Sequence, residues 1–147
     1  MTELDTSTNA KRPEFRNIHV LRDLPGYRLP LAGVVSILHR VSGAIMLLLL
    51  PFIIWMFDAS LSSEISFARF KNVFSQGVAG APGWMVKLVA LALIWAYLHH
   101  LIAGLRHLWM DVNHAVSKEF GRRSAALTLG LSLTLTLALG AKLFGLY

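Results

Sequence analysis

The sequence predicts an all-α membrane protein with three transmembrane helices. Three apolar segments follow residue 30, and each is long enough to cross about 30 Å of hydrocarbon as a helix. Apolar residues make up 55% of the 147 residues and charged residues only 15%, whereas a soluble domain carries about a quarter charged residues. A soluble protein of this length could not bury so much apolar surface in one core. Lipid is therefore the expected solvent.

The three segments have predicted bounds of about 31–57, 84–110 and 124–146. The first contains the run VSGAIMLLLLPFIIWMF, in which we expect Pro51 to produce a kink that neighbouring helices tolerate. Strands are not expected, because the runs are too long and do not alternate. Residues 31–147 are thus interpreted as one transmembrane domain.

Residues 1–30 are polar and basic, with several Pro and Gly breakers, and are expected to form a cytoplasmic arm with a short surface helix. The first residues lack an apolar core and a cleavage site, and they carry acidic residues that a transit peptide would avoid. These acidic residues are Glu3, Asp5 and Glu14. We therefore expect a bacterial inner-membrane protein without a cleaved leader.

Two function classes are disfavoured by composition. The formal net charge is +6, but the basic residues cluster beside the apolar runs and form no continuous stripe, so no nucleic-acid partner is expected. The chain has no cysteine, so it cannot build a disulfide, an iron–sulfur cluster or a zinc-thiolate site alone.

Ionisable residues at membrane depth are costly and mark candidate functional sites. One group lies in SILHRVSG, and its polar members are Ser36, His39, Arg40 and Ser42. Another lies in HHLIAGLRHLWMD, with His99, His100, Gly104, Arg106, His107 and Asp111. At 1.5 Å rise per residue, Arg40 and His100 lie roughly 13 and 15 Å from the same surface. The two groups are therefore expected to meet.

Helix periodicity assigns candidate roles on the second segment. One stripe holds His100, Gly104, His107 and Asp111. A buried neutral imidazole such as His100 is a good haem-iron ligand, and Gly104 would leave room for a flat macrocycle. Arg106 and His107 lie where haem propionates would need partners. His99 points about 100° away from His100 and misses the stripe.

Structural roles compete with each of these interpretations. A membrane histidine can serve as a hydrogen-bonded packing residue, and Gly104 can mark a helix crossing. Arg106 and Asp111 can be interfacial anchors, and Ser36 can bond to its own helix backbone. Arg40 is harder to explain in this way, because it is too deep to reach the interface easily.

Both polar groups resemble the signatures of a known family. The run SILHRVSG at 36–43 matches the first signature, and HLIAGLRHLWMD at 100–111 matches the second; an upstream Arg-Pro pair is present as Arg12-Pro13. On these motifs the sequence is similar to the cytochrome b membrane-anchor subunits of succinate:quinone oxidoreductase (respiratory complex II).

The resemblance implies a subunit that forms half of a haem-binding heterodimeric helix bundle. A second anchor subunit would share one haem b, with His100 as this chain's axial ligand to the iron. His39, Arg40 and His107 match positions near the haem propionates, and Ser36 and Arg40 match positions lining a ubiquinone pocket. The iron–sulfur and flavoprotein subunits would be partners. The chain would belong to an enzyme without carrying the dicarboxylate active site.

Three alternatives remain at this point. The same anchor could serve a fumarate reductase, or the chain could be a b-type cytochrome of another membrane dehydrogenase, such as a hydrogenase or formate dehydrogenase. It could also be a non-redox membrane protein that uses Arg40 to bind an anion.

The distribution of Lys and Arg predicts a cytoplasmic N-terminus and a periplasmic C-terminus. The basic residues of the arm and the second loop are Lys11, Arg12, Arg16, Arg22, Arg28, Lys118, Arg122 and Arg123. The first loop has only Arg69 and Lys71, balanced by Asp58 and Glu64. An alkaline phosphatase fused after Tyr147 should be active, and the same enzyme fused after Asn113 should be inactive. The reverse pattern would refute the orientation.

Overall fold

The computed structural model describes residues 19–23, 26–115 and 117–147. These residues form six helices: α1 (Val20–Asp23), α2 (Leu31–Leu48), α3 (Leu50–Leu61), α4 (Glu64–Gln76), α5 (Gly83–Asn113) and α6 (Lys118–Leu143). Across the described ranges, the β-structure amounts to one isolated bridge between Val78 and Ala81. Three helices are long and apolar enough to span a membrane: α2, α5 and α6. The predicted fold class is confirmed, and most of the predicted arm lies outside the described residues.

The first span is divided into two helices at Leu49. That residue has φ −91° and ψ 3°, and Pro51 lies in the first turn of α3. Proline has no backbone N–H and its ring clashes with the preceding turn, so it is tolerated at a helix start and disrupts a helix interior. The span therefore breaks beside the expected kink, and α3 continues to Leu61, beyond the predicted end at residue 57.

Helix α4 lies in a segment that the sequence interpretation treated as a loop. It begins with a reciprocal cap, in which Ser66 N donates to Ser63 Oγ at 3.1 Å and Ser63 N donates to Ser66 Oγ at 2.9 Å. The two bonds satisfy backbone donors that would otherwise lack partners. Three phenylalanines follow one another along the helix, with ring centroids 5.3 to 6.0 Å apart: Phe67, Phe70 and Phe74.

Helices α2, α5 and α6 pack on one another to form the bundle. Small side chains recur every three or four residues on the buried face of α6, namely Gly121, Ala125, Thr128, Ser132, Thr136 and Gly140. Such residues let membrane helices approach closely where lipid provides no hydrophobic driving force between them. The side chains of Val35 and Ala103 meet Ala125 in a fully buried cluster. The bundle is thus held by close packing of small residues.

Helix α3 departs from this bundle. It packs against α4, while an apolar gap of about 440 Å³ separates its residues Phe52, Ile53 and Met56 from α5. Large apolar side chains elsewhere are widely exposed; Leu137, for example, is 72% exposed and Leu127 70% exposed. Exposure on this scale is consistent with lipid as the surrounding medium.

Gly83, at the start of α5, has no room for a side chain. A Cβ there would lie 2.6 Å from the carbonyl oxygens of Phe74 and Ser75 at the end of α4. Because backbone atoms cannot rotate away, Gly83→Ala should destabilise the α4–α5 junction by about 1–3 kcal/mol. Thermal unfolding of the purified protein in detergent, followed by circular dichroism, should show a lower Tm.

The matched control is Gly130→Ala in α6, where a Cβ would meet no described atom within 4 Å. Alanine is the better helix former by about 0.5–1 kcal/mol, so this variant should be neutral or slightly more stable. Equal Tm values for the two variants would contradict the steric explanation.

Candidate functional site

Helices α2 and α5 bring three imidazole rings into one column. The ring of His39 on α2 lies between two rings of α5, with centroids 4.1 Å from His100 and 5.1 Å from His107. The planes are tilted by only 32° and 27°. The two polar groups of the sequence therefore meet at one level, as the rise per residue predicts.

The ring of His100 is anchored to α2 through one nitrogen. His100 Nδ1 lies 3.0 Å from the carbonyl oxygen of His39 and 3.3 Å from Ser42 Oγ. Because a carbonyl oxygen only accepts hydrogen bonds, Nδ1 carries the proton and donates it. The other nitrogen, Nε2, then has a free lone pair for a metal ion, as in most metal-ligating histidines. Ser42 is fully buried and also donates to the His39 carbonyl at 2.8 Å.

Gly43 permits this approach of the two helices. A Cβ at Gly43 would lie 3.0 Å from Cε1 and 3.3 Å from Nδ1 of His100, so any larger residue would push the ring outward. Gly104 is less restricted, because a Cβ there would meet the His39 ring at an ordinary 3.6 Å. The sequence analysis named Ser42 in the first polar group without giving it a role, and it gave Gly43 no role. The one available signal was their place in the first motif.

The remaining predicted site residues line the same region of α2 and α5. His107 Nδ1 lies 2.7 Å from the carbonyl oxygen of Ala103, one turn earlier, which leaves its Nε2 available. Arg40 is exposed and Ser36 is half-buried. Neither side chain hydrogen-bonds to another described residue, so the alternative in which Ser36 bonds to its own backbone is not observed. Both are free to contact groups outside this chain.

Arg106 lies on a different face from His107. Its Nε donates to Ser124 Oγ at 2.9 Å and its Nη2 donates to the carbonyl oxygen of Gly121 at 3.3 Å. Both acceptors belong to α6. Neighbouring residues of a helix point about 100° apart, so Arg106 faces α6 although His107 faces α2. Arg106 is therefore directed away from the imidazole column, and its expected place beside a haem propionate stays a prediction.

His99 is also directed toward α6. It is fully buried, its Nδ1 lies 3.3 Å from Ser132 Oγ, and its ring stacks on Trp95 with centroids 5.4 Å apart. Its Nε2 is buried without a hydrogen-bond partner among the described residues. The adjacent histidines 99 and 100 thus occupy different environments, and His99 faces away from the column.

The metal-binding residues of the described chain do not form a cluster. No group of three or more His, Cys, Asp or Glu side chains in the described part of the chain could hold a metal ion. The ring centroids of His39 and His100 are 4.1 Å apart, so the two rings leave no space for a flat macrocycle between them. If a metal group binds at this column, the free nitrogen of His100 would be one of its ligands.

Comparison with known proteins identifies related chains. The model of a family described as "Succinate dehydrogenase/Fumarate reductase transmembrane subunit" matches residues 9–139. The succinate dehydrogenase cytochrome b556 subunit of Coxiella burnetii is 34% identical over 117 residues, which are 80% of this chain and 84% of that protein. The corresponding subunit of Paracoccus denitrificans is 30% identical over 109 residues, 74% and 78% of the two chains.

The succinate dehydrogenase cytochrome b560 subunit of Reclinomonas americana is 32% identical over 116 residues, 76% of each chain. The family match covers α2, α5, all but the last four residues of α6, and both polar motifs. The chain therefore belongs to the family of succinate dehydrogenase/fumarate reductase transmembrane subunits.

Proposed function

We propose that this chain is the haem b-binding membrane anchor of a succinate:quinone oxidoreductase, with His100 as an axial iron ligand and Ser36 and Arg40 in a ubiquinone-reduction site. The observation that carries the proposal is the hydrogen bond between His100 Nδ1 and the His39 carbonyl, because it leaves Nε2 free as a ligand. The cytochrome b names of the relatives support the presence of haem b.

The surroundings of His100 fit a haem. Gly43 leaves room for the His100 ring against α2. His39 and His107 lie in the same column and would be hydrogen-bonding groups for propionates. Arg40 adds a positive charge on the same helix as His39. Haem b, when bound, supplies a one-electron carrier in the membrane. We infer from the family resemblance that a second anchor subunit would provide the other iron ligand and complete a heterodimeric bundle.

The quinone site is proposed at Ser36 and Arg40, which lie one turn apart on α2 and share a face. A hydroxyl can donate a hydrogen bond to a quinone carbonyl oxygen. A guanidinium binds that oxygen more strongly as it gains negative charge, and the gain is larger where water is excluded. Arg40 can contact a propionate as well, because it lies at the level of His100.

Succinate oxidation would take place on partner subunits. This chain has no cysteine for an iron–sulfur cluster. We therefore infer association with an iron–sulfur subunit and a flavoprotein at the cytoplasmic face of a bacterial inner membrane. The family description also includes fumarate reductases; the haem and quinone potentials would determine the direction of electron flow.

His100→Leu should abolish or strongly perturb the low-spin b-haem absorption of the purified complex, because an axial nitrogen is lost. His99→Leu is the matched control, since the adjacent ring faces Ser132 on α6. Its spectrum should stay close to that of the unchanged protein. An unaltered spectrum in His100→Leu, with the complex intact, would refute the assignment of the ligand.

Ser36→Ala should lower quinone reduction by about two- to tenfold, as expected for one hydrogen bond worth about 0.5–1.5 kcal/mol. Succinate oxidation with an artificial acceptor should persist. Arg40→Leu should have a larger effect and can also perturb the haem spectrum. Steady-state assays with a soluble ubiquinone analogue would measure both losses.

The controls are Ser75→Ala and Arg69→Leu, which remove the same groups from α4. Ser75 Oγ bonds only to the carbonyl of Asn72 in its own helix. Normal quinone reduction in both Ser36→Ala and Arg40→Leu would locate the quinone site elsewhere.

A further inference from the structure

A basic cavity lies at one end of the bundle, away from the imidazole column. It has a volume of about 510 Å³ and is formed where α2 begins, α5 ends and α6 begins. Three of its lining residues are cations: Arg106, Lys118 and Arg122. Its other walls are mainly apolar, with Leu31, Ala32 and Met110. None of its lining residues carries a carboxylate, so the cavity combines positive charge with an apolar wall.

Arg106 is the buried cation of this cavity, with 9% of its surface exposed. Its two hydrogen bonds go to uncharged acceptors of α6, Ser124 Oγ and the Gly121 carbonyl. A guanidinium has five donors, so three remain. The ion pair found among the described residues joins Arg123 to Glu119 at 2.7 Å, and no described carboxylate pairs with Arg106. A buried charge without a counter-charge is costly, and an external anion would relieve that cost.

Arg106 also lines an adjoining groove of about 580 Å³ between α5 and α6. The groove is largely apolar and extends along the helices from Trp109 and Phe120 to Leu131. A single buried guanidinium therefore stands where a basic cavity meets a long apolar surface. Arg106 is seven residues from the end of α5, which corresponds to roughly 10 Å along the helix axis.

We propose that this cavity binds the phosphate of an anionic phospholipid, with one acyl chain lying in the adjoining groove. Phosphate matches the planar guanidinium, which can donate two parallel hydrogen bonds to it. Lys118 and Arg122 at the first turns of α6 add charge for an anionic headgroup, as basic pockets between membrane helices do. The apolar walls select an amphiphile over a free ion. The site is independent of the proposed haem and quinone functions, because Arg106 faces α6 and the imidazole column faces α2.

Native mass spectrometry of the intact, delipidated complex in detergent would test the site. The probes are dioleoylphosphatidylglycerol, which is anionic, and dioleoylphosphatidylcholine, which has the same chains and phosphate but no net charge. The complex should retain the anionic lipid at least fivefold better. Lys118→Gln with Arg122→Gln should reduce that affinity by about tenfold or more, since each basic residue near anionic lipid contributes about fivefold.

Arg69→Gln on α4 is the control, because this arginine lines neither the cavity nor the adjoining groove; the affinity of this variant for the anionic lipid should fall less than twofold. Arg106→Gln should abolish the preference for the anionic lipid while the haem spectrum reports an intact complex. Equal retention of both lipids, or equal losses in Arg69→Gln and the double variant, would overturn the proposal. Displacement of the lipid by millimolar inorganic phosphate would likewise overturn it and identify a free-anion site.

Discussion

The hydrogen bond between the His100 ring and the backbone carbonyl of His39 is the interaction on which the candidate site depends. It joins α2 to α5 at the level where the two polar motifs meet. The bond fixes the tautomer of the ring and the direction of its free nitrogen. In metal sites, a hydrogen bond from the non-coordinating nitrogen usually sets the orientation and raises the basicity of the histidine ligand. Because the acceptor belongs to the backbone, it cannot rotate away as a side chain could.

Small residues make that contact possible. Gly43 and the buried Ser42 allow the ring to come against α2, while small residues on the opposite side let α6 approach α5. Adjacent residues of α5 thereby serve different neighbours: His100 and His107 face α2, and His99 and Arg106 face α6. One helix thus supplies two chemically distinct sides, of which one carries the imidazole column and the other a buried cation.

Much of this arrangement could be predicted from the sequence. Length and apolarity identified the three spans, and the rise per residue placed Arg40 and His100 at one depth. Helical periodicity separated His99 from His100. The same 100° rotation separates Arg106 from His107, although the sequence analysis placed both of them near the expected propionates. The role of Gly43 depends on a contact between two helices, which no local pattern contains.

Helix α4 was missed for a different reason. Its cap uses serine at both ends of the reciprocal pair, whereas the familiar signature has Glu or Gln at the third helical position. The charged residues of the segment also favoured its interpretation as a polar loop. The recurrence of Phe67, Phe70 and Phe74 at helical spacing was the available signal.

The break at Leu49 divides the first span mechanically. On the N-terminal side of the break, α2 packs against both α5 and α6. On the C-terminal side, α3 packs against α4 and is separated from α5 by the apolar gap. A bilayer that becomes thinner or thicker imposes tilt on the helices that cross it. Because Pro51 removes one backbone hydrogen bond at this break, a tilt of α3 would disturb the contact between α2 and α5 less than a tilt of one continuous helix would.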